Sequence, residues 1–466
     1  MVRREYRRWL WGGLAVALGL VLRLWFVAHT ARIDGDTLLY GDIAKNWLEQ
    51  GIYGLTQAGH VARPTLIRLP GYPLFLVACF RIFGIEHYTA VMYVQVAADL
   101  LTCVIAGLLA GRLFGQRAGM AALWMAALCP FTASYVSAPL TETLSLLCIA
   151  LTFYGLERWR VAGCGLNRWL WLMAGAMSYA LLLRPEQGLL AAAVFPAMLW
   201  MVLRSPGRQK RAVWPVVLAA VCVVLPLAPW TARNWRSFHL VQPLAPRSAT
   251  DPGELVPVGF QHWFRSWAID YASTEDVYWN YDGDAVEISD IPSRAFDTEE
   301  QYVQTDALLK QYNETDNATP AFDAQFEALA RERIADDPIR YYIALPVARF
   351  LDMLLRPRTE MLPLSLDWWR WSEHPQESLF DISYAALNLG YLVVGGVGFW
   401  LWRRRGGVTA LGWSMMAFVL LRSAVLLTLD NSEPRYTLEF FPVIFVWAAL
   451  VFVRANDDRW SSFCRS

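Results

Sequence analysis

The chain has 466 residues, 56% of them hydrophobic and 14% aromatic, and its 41 basic residues balance 41 acidic ones. Apolar runs of about 20 residues recur along it, which gives an all-α polytopic membrane protein and excludes a soluble enzyme. The cations are nearly all arginine, lysine occurring only at Lys45, Lys210 and Lys310, and the balanced charge offers no basic surface for a nucleic acid.

The N-terminal stretch MVRREYRRW is basic and precedes an apolar span from about Leu10 to Ala28. By the positive-inside rule the N-terminus is cytoplasmic and the following loop is outside. No signal-cleavage site follows the span, so it reads as an uncleaved anchor. The loop runs from Arg32 to Pro73, as RIDGDTLLYGDIAKNWLEQGIYG, a polar connector and RLPGYP. Asp34 and Asp36 stand where a helix surfaces from the bilayer. Asp42 then opens a run with Ile43, Ala44, Trp47 and Leu48 on one side, the spacing of a short interfacial helix lying on the membrane. A pair of acids beside such a helix suits chemistry on a lipid-borne substrate.

Further spans are expected near Val91–Gly111, Ala118–Ser137, Leu140–Trp159, Trp169–Leu183, Gly188–Leu203, Val213–Trp230, Ile382–Trp402, Val408–Leu429 and Leu438–Val453. That makes about ten, or eleven to twelve if Leu76–Gly84 and Tyr341–Leu355 insert rather than lie in the interface. The alternate loops carry Arg112 and Arg117; Arg158, Arg160 and Arg168; Arg204, Arg208, Lys210 and Arg211; and Arg403 to Arg405. Arg454 and Arg459 mark the tail, so the parity is self-consistent. The chain accordingly divides into a transmembrane bundle at 1–230 with its first external loop at 29–90, an external domain at 231–379, and transmembrane helices at 380–466.

The external domain is crowded with acids from Asp251 and Glu254 through Asp270, Glu275, Asp276, Asp282, Asp284 and Glu287. At roughly one hundred residues it is the size of a small soluble domain. PAFDAQFEALARERIADDP reads as an amphipathic helix with Phe322, Phe326, Leu329 and Ile334 near one face. Trp263, Trp267 and Trp279 suit a small-domain core better than a sugar platform. His60, His262 and His374 read as surface residues, and Asn313 and Asn317 lie in sequons used only in a secretory host. Six cysteines (Cys79, Cys103, Cys129, Cys148, Cys164 and Cys222) lie in or beside apolar segments and Cys464 in the tail, so neither a disulfide framework nor a Cys/His metal spacing is expected. No internal repeat is visible, which counts against inverted-repeat transporters.

A charge at the middle of a spanning helix costs about 2.5–3.5 kcal/mol on insertion scales, so each one needs a reason. Arg23, Arg184 with Glu186, Arg233, Arg422, Arg435 and Glu142 all fall in the outer half or at the outer surface, and Arg63 and Arg68 belong to the first loop. They suggest a ring of guanidinium groups around Asp34, Asp36 and Glu142, where forks can hold a lipid phosphate beside a carboxylate base. Plainer uses compete. Arg23 and Arg422 could snorkel or pair with Asp99, itself read as structural; Asp34 and Asp36 could cap a loop, and Glu142 could answer a helix dipole.

Several motifs, in order, carry a resemblance: GDTLLYGDIAKNWLEQGIY, RLPGYPLFLVACFRIFG, RLFGQRAGMAALWMAALCPF, PLTETLSLL, LLLRPEQ, PWTARNW and PRYTLEFFP. The chain resembles the GT-C glycosyltransferases, within them the bacterial relatives of dolichyl-phosphate-mannose protein mannosyltransferases and of the lipid A aminoarabinose transferase. The resemblance implies a GT-C-like helical bundle and an inverting transfer from a polyprenyl-phosphate sugar, undecaprenyl-linked in bacteria, to a protein, lipid or glycan hydroxyl. The site would face the outer side of the cytoplasmic membrane. By position, Asp36 is the loop-one acid that activates the acceptor, Glu142 falls where relatives carry a second acid, and Arg68 stands near the donor phosphate. Arg184, Arg435 and Arg63 would assist Arg68, and Tyr40, Tyr72, Arg233, Asn234 and Tyr436 would contact substrate. Many members have an Asp-Glu pair where this chain has Asp36-Thr37, which keeps Asp34 as a second candidate base. A divalent cation, Mg or Mn, held by Glu142 is compatible with this chemistry; a phosphate leaving group does not require one. Two other readings remain: a lipid-linked-glycan transporter or flippase without transferase activity, and a ligase or oligosaccharyltransferase that moves a preassembled glycan.

Overall fold

The computed structural model describes residues 2–57, 61–204 and 213–453. His60, Arg208, Lys210, Arg211, Arg454, Arg459 and Cys464 lie outside the described residues. The chain forms two compact units, one of Met1–Asp251, Leu389–Leu421 and Leu438–Ser466, the other of Pro252–Asn388 and Arg422–Thr437.

In the first unit, helices α1 (Val2–His29) and α2 (Asp36–Gln50) are followed by a two-stranded antiparallel hairpin, β1 (Gly54–Thr56) and β2 (Ala62–Pro64), with Leu55 opposite Arg63. Then come α3 (Gly71–Phe83), α4 (Tyr88–Phe114), α5 (Gln116–Ala127), α6 (Pro130–Ser134), α7 (Glu142–Val161), α8 (Arg168–Leu183), α9 (Gly188–Leu203), α10 (Trp214–Val224) and α11 (Leu227–Phe238). Every apolar segment read from the sequence lies on a helix, because a backbone in lipid must satisfy its own hydrogen bonds. Among the described residues, six helical stretches are long and apolar enough to cross a membrane by length and composition, or seven if Gln116–Ala127 and Pro130–Ser137, bent by 46°, form one span. Two expected spans fall short in length: α8 has 16 residues and the later Ala410–Leu426 helix 17. A third, α7, is too polar, since it buries Glu142, Ser145, Thr152 and Glu157 and carries Arg158 and Arg160. It is a helix enclosed by protein.

Two close packings shape this unit. Where α4 meets α5, a Cβ on Gly119 would lie 2.8 Å from the Gly107 carbonyl oxygen and 2.9 Å from Gly111 Cα, the small-residue approach common between membrane helices. At the break after α5, fully buried Arg23 donates to the carbonyls of Ala127 (2.7 Å) and Ala126 (3.3 Å) and from Nε to Asp99 Oδ2 (2.7 Å). Pro130 has no N–H and the chain turns there, so Arg23 satisfies helix-end carbonyls and Asp99 neutralises it. Arg23 therefore leaves the expected guanidinium ring.

The second unit contains α12 (Val258–Arg265), the short α13 (Tyr271–Ser273), α14 (Glu299–Tyr312), α15 (Pro320–Asp336) and α16 (Leu345–Leu355), and it includes the start of α17 (Pro375–Arg405). Five-residue π-helical turns occur at Thr274–Tyr278 and Arg340–Ala344. Thr298 and Thr319 cap α14 and α15 by accepting from Gln301 and Phe322 N–H. Trp263, Trp267, Phe260 and Phe326 make the core, with the Phe260 and Tyr281 rings stacked 3.8 Å apart. Trp263 and Trp267 thus have the core use expected of them, while Trp279 is exposed. Arg422 is also internal, donating from Nε to the Tyr436 carbonyl at 3.0 Å. The first unit is completed by the rest of α17, α18 (Ala410–Leu426) up to Leu421, and α19 (Phe441–Ala448).

Candidate active site

The first loop folds as a helix stapled to a hairpin. Helix α2 starts at Asp36, six positions earlier than the sequence suggested, because Gly35 takes a left-handed φ of 45° and Thr37 N–H closes onto the Asp34 carbonyl at 2.9 Å. Asp42 is instead a staple, accepting from Thr56 N–H and Oγ1, each at 2.7 Å. Part of the apolar side of α2 is covered by protein. Ile43 and Ala44 are fully buried, Ile43 among Tyr53, Leu66, Leu69 and Trp230.

This placement puts the Asp36 carboxylate at the positive end of a helix and beside Arg68, whose Nη2 donates to Asp36 Oδ1 at 2.7 Å. Their side chains are 26% and 23% exposed, enough for a ligand to reach. Asp34 lies outside the helix and is exposed. The Arg68 guanidinium also sits 5.7 Å from the centre of the Tyr40 ring, and Tyr53 donates its hydroxyl to the Arg68 carbonyl at 2.9 Å.

A second ion pair is more deeply enclosed. Glu142, the first residue of α7, is 2% exposed and accepts from Arg184 Nη1 at 3.0 Å. Arg184 ends α8 in an extended conformation ahead of Pro185, and its Nε reaches Glu186 at 2.7 Å. Fully buried Glu439 stands 3.9 Å from Arg184 Nη1. Glu439 was missed by the sequence reading although it lies within PRYTLEFFP; one acid ahead of an apolar run reads as a helix boundary.

Tyr40 and Tyr72 lie between these features. Their rings meet edge to face at 5.1 Å, and fully buried Tyr72 donates to Gln95 Oε1 at 2.7 Å. Gln95 in turn donates to the Ala138 carbonyl at 2.8 Å, fixing the segment that leads to Glu142. Arg32 N–H to the Ser137 carbonyl (3.0 Å) and Thr37 Oγ1 to the Pro139 carbonyl (3.4 Å) join that segment to the start of α2. Burial pushes the Tyr40 phenol up to about 12, with Arg68 and Arg184 opposing the rise and Asp36 and Glu142 adding to it. It stays protonated at neutral pH, and it feels both pairs.

Other expected residues are placed differently. Arg233 donates to the carbonyls of Thr65 (2.7 Å) and Tyr53, and buried Asn234 donates to the Gln242 carbonyl at 2.8 Å. Arg233 thus braces the first loop, and Asn234 accepts from Arg233 Nη1 at 3.0 Å. Arg63 is exposed on β2, opposite Leu55. Arg435 and Tyr436 belong to the second unit, where Arg435 pairs with Glu433 and lies 5.7 Å from the Tyr436 ring centre. Among the described residues no group of three or more His, Cys, Asp or Glu side chains could hold a metal ion. Glu142 faces the Arg184 guanidinium.

Residues 63–230 match the model of the dolichyl-phosphate-mannose-protein mannosyltransferase family. The stretch runs from β2 to α11 and includes Arg68, Glu142 and Arg184, and over it the resemblance read from the motifs is borne out. No curated protein matches the chain. Among solved structures, the oligosaccharyltransferase of Archaeoglobus fulgidus tethered with an NVT-containing acceptor peptide is 13% identical with a TM-score of 0.49, over 96% of this chain and 49% of that one. The same organism's AglB with an inhibitory peptide and a dolichol-phosphate is 10% identical with a TM-score of 0.49, over 96% and 50%. ArnT from Cupriavidus metallidurans bound to undecaprenyl phosphate is 15% identical with a TM-score of 0.38, over 95% and 77%. The chain spans about half the length of the oligosaccharyltransferases it matches.

Proposed function

We propose that this chain is an integral-membrane glycosyltransferase that moves a sugar from a polyprenyl-phosphate donor to an acceptor hydroxyl, with inversion, at the outer face of the cytoplasmic membrane. The observation that carries the reading is the part-exposed Asp36–Arg68 pair at the start of α2.

A carboxylate tied to a guanidinium is a weak base, and a guanidinium tied to a carboxylate is a poor phosphate ligand. An arriving lipid phosphate resolves both, because the Arg68 fork exchanges the carboxylate for phosphate oxygens and releases Asp36. Asp36 then takes the proton of the acceptor hydroxyl as that oxygen bonds to the anomeric carbon. The bond from the anomeric carbon to the phosphate oxygen breaks on the opposite face, and its electron pair leaves on the phosphate. Arg68, assisted by Arg184, stabilises that charge in a partly dry site. Glu142 and Glu439 hold Arg184 in place, and Tyr40, kept protonated, supplies a hydroxyl beside the exchange. The region 231–379 is assigned to the outer side, where it selects the acceptor.

The test is label transfer by purified protein in liposomes supplied with membrane lipids carrying a radiolabelled polyprenyl-phosphate sugar. Wild type should release label to an acceptor, and Asp36→Asn should not. If labelled lipid instead crosses the bilayer intact with every variant, the protein is a flippase and the transferase reading fails.

A further inference from the structure

Helix α16 and the π-helical turn before it are inside out for a body surrounded by water. Ile339, Ile343, Val347, Leu351 and Leu355, spaced four residues apart along one face, and Tyr342 beside them are between 41% and 70% exposed. Both ionisable side chains of α16 turn the other way. Arg349 is 1% exposed and donates to the carbonyls of Arg265 (3.0 Å) and Ala268 (2.9 Å). Asp352 accepts from Ser432 Oγ at 2.7 Å. A surface helix in water shows the opposite pattern, with charge outward and apolar residues inward. A contiguous exposed apolar face of this kind marks a contact surface.

The neighbouring helix says what the contact is. Asn388 of α17 donates to the Leu354 carbonyl at 2.8 Å and accepts from Arg358 Nε at 3.2 Å, tying the end of α16 to α17. Helix α17 is one of the six stretches suited to cross a membrane, and its early turns expose Leu379, Phe380, Ile382 and Leu387. Between the two helices, Trp369 and Trp371 are exposed, as indoles are at the membrane–water boundary. The apolar face of α16 is thus continuous in kind with a lipid-facing helix to which it is bonded. The 11 residues of α16 rise roughly 16 Å, about half of the ≈ 30 Å hydrocarbon core, so the helix reaches into one leaflet only.

We propose that this face is seated in the phospholipid bilayer, which makes the second unit a partly embedded body rather than a soluble domain on a tether. The inference stands whether or not the chain transfers sugars. The experiment places benzoylphenylalanine at Val347 or Leu351, and at exposed Val303 on α14 as a control, in the full chain in native membranes. After irradiation, the 347 and 351 proteins should carry adducts of phospholipid mass and the 303 protein none. Crosslinks from 347 and 351 to another polypeptide, or a lipid yield no higher than at 303, overturn the proposal. Nitroxides on cysteines at 347 and 351 give a second reading: faster collision with oxygen than with a water-soluble nickel chelate supports the proposal, and the reverse overturns it.

Discussion

Arg68 reaches Asp36 across 32 positions of sequence, donating from Nη2 at 2.7 Å, and the pair remains about a quarter exposed. An ion pair this open adds little to stability, about 0–1 kcal/mol. Its removal should therefore be read in activity. Asp36→Asn is expected to lower kcat by roughly 10²- to 10⁴-fold, the usual contribution of a positioned base, with the folded yield unchanged. Asp34→Asn, at an exposed position outside the helix, should stay within a few-fold of wild type. Initial rates at saturating donor separate the two.

Arg68→Met should raise the donor KM by roughly 10- to 100-fold, the loss of charge-assisted hydrogen bonds to a phosphate. Arg68→Lys keeps the charge but not the fork and should fall between Met and wild type. Equal activity of Lys and Met variants would show that the fork, not the charge, is what matters. Equal activity of all three would remove Arg68 from the donor site.

The Glu142–Arg184 pair should behave asymmetrically. Glu142→Gln leaves Arg184 beside Glu186 and Glu439, so the cost is expected at about 1–3 kcal/mol. Arg184→Met removes the guanidinium from beside two buried acids, Glu142 and Glu439, and should cost more, about 3–5 kcal/mol. Thermal unfolding in detergent orders the two variants; a reversed order rejects this account of the cluster.

Arg23→Met leaves Asp99 as a buried charge and removes the side-chain donor to the Ala127 carbonyl, so about 3–5 kcal/mol should be lost. Adding Asp99→Asn removes the stranded charge and should restore part of that loss. A double-mutant cycle on unfolding gives the coupling.

Asp276 gives a pH prediction. Burial first, then Asp290, Asp367, Glu275 and Asp270, push its carboxyl up from 3.8 to about 6. The folded state then binds the proton more strongly than the unfolded one, so stability falls as pH rises from 3.8 to about 6 and the cost is complete above that. The side chain reaches solvent, so screening holds the effect to about 1 kcal/mol or less. Asp276→Asn should stabilise the protein at pH 8 and leave it unchanged near pH 3.5, as unfolding midpoints at the two pH values will show.

Hydropathy and arginine placement in the sequence determine that the chain is a multi-span helical membrane protein, because lipid leaves a backbone no partner but itself. Motif order picks out Asp36, Arg68, Glu142 and Arg184, since acids and guanidiniums near the membrane surface are rare enough to need a purpose. Which of them pair is a tertiary fact. Asp36 and Arg68 are separated by a hairpin that the sequence showed only as a polar connector. Arg23 could have joined the site or Asp99; the broken end of α5, with carbonyls to satisfy, decided it. The span count also depended on packing, because α7 has the length of a span yet carries polar residues that only surrounding protein can accommodate. The direction in which α16 turns its charges was not legible either. Periodicity shows that a helix has two faces, and only the folded chain shows which of them is covered.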